Sequence, residues 1–220
     1  MPNQSFVLFG KTMNLERQLE EFLNLLSEAN ILFRGGVGHY LEEGPDSNRF
    51  QTRLEMLVKH EREVDALTRF LEANLRSQLL AGELRGDVMH LLEKLSRMQR
   101  LMVKNLADFE VERPNFPATI HPLMGQLSMA VSHAVETCIE AGQVFFQQTE
   151  KVGEYLSKVA FYEKEADKMV YQTTKAIFAT DLPLYEKSHL RRFADKVDEP
   201  ANIAEEIAAW LAMFFMRRGL

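Results

Sequence analysis

Apolar residues recur at steps of three and four from the start of the chain. Leu15, Leu19, Phe22, Leu26 and Ala29 fall on one helical face, the spacing expected at 3.6 residues per turn. Asn14 stands at the N-cap position, Gly35, Gly36 and Gly38 weaken the later part, and Gly44-Pro45 ends the run. The same pattern predicts a second helix over about Asp46 to Leu80, capped by Asp46 or Ser47 and closed by Gly82, and a third over about Leu84 to Val111. ERPNFPATIHP, with Pro114, Pro117 and Pro122, is the clearest break in the chain. Beyond it the rhythm restarts, giving helices over about Leu123 to Gln147, Glu150 to Ala179 and Leu184 to Arg217, with DLP at Asp181 to Pro183 separating the last two. No β-branched alternating run occurs, so the fold class is all-α.

Two charged words resemble each other: HEREVDAL from His60 and YEKEADKM from Tyr162. Their glutamates, Glu61 and Glu163, lie 102 residues apart. At that offset Phe22 falls on Met124, Leu25 on Leu127, Ala29 on Val131 and Val37 on Ile139. Leu75 falls on Ile177, Leu91 on Phe193 and Leu101 on Ile203. Apolar phase is kept across three helices, which an isolated coincidence of charges would not do. The expected organisation is one domain over residues 1–220 built from two tandem three-helix repeats, 14–113 and 116–217, packed as an elongated six-helix bundle.

Composition narrows the function. The formal net charge is −6 and no dense run of Lys and Arg stands out, which argues against a nucleic-acid partner. A single cysteine, Cys138, allows no internal disulfide and no thiolate metal cluster, and suits a reducing, cytoplasmic setting. The apolar run FVLF, Phe6 to Phe9, is too short for a signal peptide. The longest run, Ile207 to Met216, is about half of a membrane span, so the protein is not expected to be an integral membrane protein.

The candidate chemistry lies in the repeated words. Glu61 with Asp65, and Glu163 with Asp167, are i,i+4 carboxylate pairs on one helical face. Each pair interrupts a mostly apolar seam, where two ionised carboxylates repel each other and lose hydration. They need a cation there, either a basic side chain or a metal. In the last helix Asp195, Asp198, Asn202 and Glu205 form a polar stripe beside the small residues Ala194, Ala201, Ala204 and Ala208. If helices five and six run antiparallel, Glu163, Asp167, Asp198 and Asn202 converge. An all-oxygen donor set suits hard cations such as magnesium, calcium, manganese or ferric iron. Asp198 could instead cap a helix starting near Pro200, but the matching Met98 lies in uninterrupted helix, which favours a continuous, kinked one. In unit one the offset puts Ser96 and Arg100 where unit two has Asp198 and Asn202, so an arginine–carboxylate pair is expected in place of a metal.

A tandem three-helix repeat with Glu-x-x-x-Asp in each second helix, and Asp198-x-x-x-Asn202 in the last, resembles the PhoU family over essentially the whole chain. Within the family it resembles the branch described as phosphate transport regulators, encoded beside low-affinity phosphate permeases. The resemblance implies the PhoU-like six-helix fold and a cytosolic, non-enzymatic regulator of phosphate uptake. It implies as partner a phosphate permease or that permease's regulatory partner, and association as a dimer or larger homo-oligomer. It further implies metal ions (iron, zinc, manganese or magnesium) on the acidic words. Carried over by position, the ligands are Glu163, Asp167, Asp195, Asp198 and Asn202 in unit two, and Glu61 and Asp65 in unit one, where Ser96 and Arg100 depart from the pattern.

Two other readings fit parts of the pattern. A ferritin-like di-metal enzyme needs two Glu-x-x-His words, and only Glu186 to His189 fits, with Asp87 and His90 as a variant. A metal-free helical adaptor would satisfy its acids with Lys164, Lys168, Arg191, Arg192 and Lys196.

Overall fold

The computed structural model describes residues 13–77, 82–147 and 152–218. It contains six helices: α1 (Met13–Glu43), α2 (Asn48–Ser77), α3 (Gly82–Glu112), α4 (His121–Gln147), α5 (Val152–Phe178) and α6 (Leu184–Arg218). These agree with the elements expected from periodicity, within a few residues at each end. One boundary differs: Gly82 is the first residue of α3 rather than the end of α2. FVLF lies outside the described residues.

Local chemistry sets the helix ends. The Ser47 hydroxyl accepts from the Phe50 N–H at 3.2 Å and so caps α2. Gly44, at φ 85°, closes α1 through its N–H to the Tyr40 carbonyl at 2.9 Å. Arg113 does the same for α3 at φ 48°, bonding the Phe109 carbonyl at 3.2 Å, and Pro114 then stops the helix.

In each half the three helices pack on one another. The halves meet through α1 against α4 and α3 against α6, leaving α2 and α5 as outer helices. Between α1 and α4, the Asn30 amide donates to the Ser132 carbonyl at 2.9 Å and to Glu136 at 3.1 Å. Asn30 and Ser132 are themselves 102 residues apart, so at this contact positions related by the sequence offset touch each other. Rings cross the halves too: Phe109 of α3 lies edge-on between Tyr40 (4.9 Å) and Phe193 of α6 (4.7 Å). The α6 end packs inward, with Trp210, Phe214 and Phe215 around Phe145 of α4.

The glycines of α1 do not break it. Gly36 lies where α1 meets α3, and a Cβ there would come within 2.5 Å of a methyl of Leu106, which is fully buried. Gly38 has open space around its Cβ position. Gly38→Ala is therefore expected to stabilise the protein by about 0.5–1 kcal/mol through helix propensity. Gly36→Ala is expected to destabilise it, because overpacking of about 1–3 kcal/mol exceeds that gain. Urea denaturation of the two variants would measure both signs, and a stabilised Gly36→Ala would contradict the close α1–α3 approach.

Helix α6 runs unbroken through Pro200, so Asp198 lies within the helix and does not cap one. Pro200 has no N–H for the Lys196 carbonyl one turn earlier. Asn105 of α3 takes over, its amide donating to that carbonyl at 2.6 Å and to Glu199 at 2.9 Å. Below this point Lys196 bridges to Asp108 and, at 3.3 Å, to Glu112, which also binds Arg192 and, at 3.3 Å, His189.

Candidate functional site

Helices α5 and α6 pack side by side, and the acids of unit two face the seam between them. Glu163 and Asp198 are buried, at 7% and 6% exposure. Asp167 and Asn202, one turn along their respective helices, are exposed at its rim. The Asn202 amide donates to Asp198 at 2.7 Å. The contrast between buried and rim positions is a correction to the sequence reading, which placed each carboxylate pair wholly in the seam.

Electrostatics ties the group together. Burial pushes the Asp198 carboxyl up to about 7, and the charges of Asp167, Glu163 and Asp195 push the same way against the Asn202 hydrogen bond. Glu163 is raised by burial, then by the charges of Glu205 and Asp167, with Lys164 opposing. Asp195 is raised by burial and by Glu199 and pulled back by Arg191, its ion-pair partner at 3.6 Å. No basic side chain figures among the causes acting on Asp198. Glu205 is the charge acting most strongly on Glu163. It lay in the expected polar stripe but outside the expected ligand set, because spacing along α6 alone does not reveal which member reaches across to α5.

Unit one uses the same positions differently. Arg100 donates to Asp65 at 3.1 Å, on the surface. Ser96, the counterpart of Asp198, is buried and hydrogen-bonded to Thr68 at 2.8 Å. Glu61 is raised by burial and by Asp65, with Arg100 and Arg62 opposing. A basic side chain and a neutral hydroxyl pair thus stand where unit two has an amide and a buried carboxylate.

The remaining candidates separate. His189 meets Glu112 and the Phe193 ring, whereas His90 lies tilted against the Trp210 ring. Phe193 and Trp210 are about 25 Å apart along α6, so no paired-histidine di-metal centre forms from the two histidines. Cys138 is fully buried, and burial pushes its thiol up to about 12, which makes it a packing residue and not a redox sensor. Among the described residues, His39, Glu42 and Glu43 are the group of three whose ligand atoms all lie within 4.8 Å of one another. They occupy one turn at the end of α1, and Glu43 is also held by Arg49 at 2.9 Å. A His followed by Glu at the third and fourth positions on a helix is the signal for this group in the sequence. No three carboxylates of the α5–α6 group meet that distance limit.

No protein-family model matches the chain. A UPF0111 protein of Thermotoga maritima is 23% identical over 184 residues, spanning 83% of this chain and 84% of that protein. Two solved structures from Shewanella oneidensis MR-1 share the fold. One, of a PhoU-like phosphate regulatory protein, has a TM-score of 0.79 at 14% identity and covers 93% of this chain and 100% of its own. The other, of a PhoU-like protein, has a TM-score of 0.82 at 16% identity and covers 92% and 99%. The six-helix fold is therefore PhoU-like, as the sequence pattern anticipated.

Proposed function

We propose that this chain is a non-enzymatic, cytosolic regulator of phosphate uptake that works by contact with a phosphate transporter or its signalling partner. We further propose that a metal ion held between α5 and α6 fixes the shape it presents. The regulatory part of the reading is supported by the PhoU-like fold and by the description of one structural neighbour as a phosphate regulatory protein.

The metal part is carried by Asp198: a buried carboxylate surrounded by other carboxylates, with an amide as its hydrogen-bond partner. The donors fit a hard cation, being carboxylates and one amide and including neither His nor Cys. Glu163 and Asp198 would hold it from within the seam. Asp167 and Asn202, exposed at the rim one turn along from them, would complete the donor set, Asn202 by turning its amide oxygen inward in place of its present bond to Asp198, with Asp195 and Glu205 adding charge. When bound, the ion supplies neutralisation; without it, mutual repulsion of the acids loosens α5 from α6.

Elemental analysis of protein purified without an affinity tag, beside Glu163→Ala/Asp167→Ala, tests this. Stoichiometric iron, zinc, manganese or magnesium is expected in the wild type and not in the double variant. Absence of metal from folded wild-type protein, repeated with added divalent cations, would sink the metal reading. The regulator would then be a metal-free adaptor acting through its surface alone.

A further inference from the structure

The outward face of α5 carries Phe161, Lys164, Lys168, Tyr171, Lys175 and Phe178, at steps of three, four, three, four and three. All six are exposed; the aromatic residues are 58%, 69% and 41% exposed in order. Helix α5 packs on α4 and α6 and turns this face away from both. Helical geometry puts Glu165 and Asp167 on either side of the stripe and no acid within it. Glu165 pairs loosely with Lys168 at 3.5 Å, with both side chains exposed. In a chain of net charge −6 the face is thus a local cationic strip interleaved with large rings. A scan of the sequence for basic clusters passes over it, because its lysines are four and seven residues apart.

We infer that this face rests on an anionic phospholipid bilayer. Lysines attract acidic headgroups, while aromatic rings settle at the boundary between headgroup and acyl chain. Two features favour a lipid surface over an acidic protein helix. The face is the convex outside of an outer helix, where a docking helix needs a groove. Its apolar anchors are ten and seven residues apart, too sparse for the three-and-four anchor spacing of a helix interface. A deformable, laterally continuous surface accommodates both. The contact is peripheral, since no helix among the described residues is long and apolar enough to cross a membrane. It does not depend on the metal reading, because none of the six residues belongs to the α5–α6 acid group.

The corresponding face of α2 supplies the control. At the same offset it presents Lys59, Arg62 and Arg69 with Ala66 and Ala73, all exposed, so its cations alternate with alanines where α5 has rings, and Phe70, 40% exposed, flanks the face on one side. Full-length protein is sedimented with vesicles of phosphatidylcholine alone or mixed with phosphatidylglycerol, in chelator so that no cation bridges acids to lipid. Binding is expected only to the mixed vesicles and should weaken with salt. Lys164→Gln/Lys168→Gln/Lys175→Gln should weaken it on the order of a hundredfold, while Lys59→Gln/Arg62→Gln/Arg69→Gln, with the same loss of charge, should leave it within about twofold. The triple Lys→Arg variant of α5 should retain binding, and Phe161→Ser/Tyr171→Ser should weaken it at constant charge. Failure of the wild type to bind mixed vesicles, or equal loss in the α2 and α5 variants, would overturn the inference. So would binding to an acidic peptide with none to vesicles.

Discussion

Asp198→Asn is expected to raise the stability of chelator-treated protein by roughly 2–4 kcal/mol at about pH 8 and to remove most of its pH dependence between about pH 4 and 8. The folded chain holds this carboxyl up to about 7, against an ordinary value of 3.8. Between those values it keeps a proton that the unfolded chain has released. The associated stability is full below about pH 4 and is lost as pH rises through about 7. A rise of that size corresponds to about 4 kcal/mol between the two protonation states, which sets the upper end of the expected gain. Glu163 and Asp195 are raised in the same direction and steepen the loss. Asparagine keeps the shape and a hydrogen bond to Asn202 without the charge. Thermal melts across pH would show the effect as about ten degrees at the alkaline end. Added divalent cation should restore the wild type there and leave Asp198→Asn unmoved. A wild-type melting temperature that stays flat from about pH 4 to 8 in chelator would mean that Asp198 is not desolvated as the packing indicates.

The second large effect is expected at the junction of the halves. Phe109→Ala should cost about 3–5 kcal/mol, because the ring is fully buried and makes edge contacts with both Tyr40 and Phe193. The loss combines transfer energy with a cavity between α3, α1 and α6 that the packed helices close only in part. Since Phe109 belongs to the first half and Phe193 to the second, the variant should also uncouple them, giving a broader or two-step denaturant transition. Val111, two residues on and 77% exposed, is the comparison: its replacement by alanine should change stability by less than about 0.5 kcal/mol. A Phe109→Ala loss as small as that of Val111→Ala would contradict the packing.

Much of the candidate site is legible in the sequence. The i,i+4 words at Glu61 and Glu163 and the polar stripe from Asp195 to Glu205 are local patterns, fixed by 3.6 residues per turn. The offset also singled out Arg100, which does meet Asp65. Other features were out of reach. Which helix carbonyl Pro200 leaves free follows from the sequence, but its partner, Asn105, lies 91 residues from Lys196. The strength of Glu205 on Glu163 and the outward turn of the lysine–aromatic face of α5 likewise required the neighbouring helices.

The number of helices, their approximate ends and the relative angles of side chains on each are legible in the amino-acid order alone. Those depend on capping, proline, glycine and helical period, all of which act within a few residues. That Glu163 and Asp198 are buried while Asp167 and Asn202 stay at the rim follows from how α5 and α6 pack. Periodicity places residues on a face but does not say how far that face rotates toward its neighbour. Desolvation and carboxylate repulsion, which set the chemistry of the site, depend on that rotation.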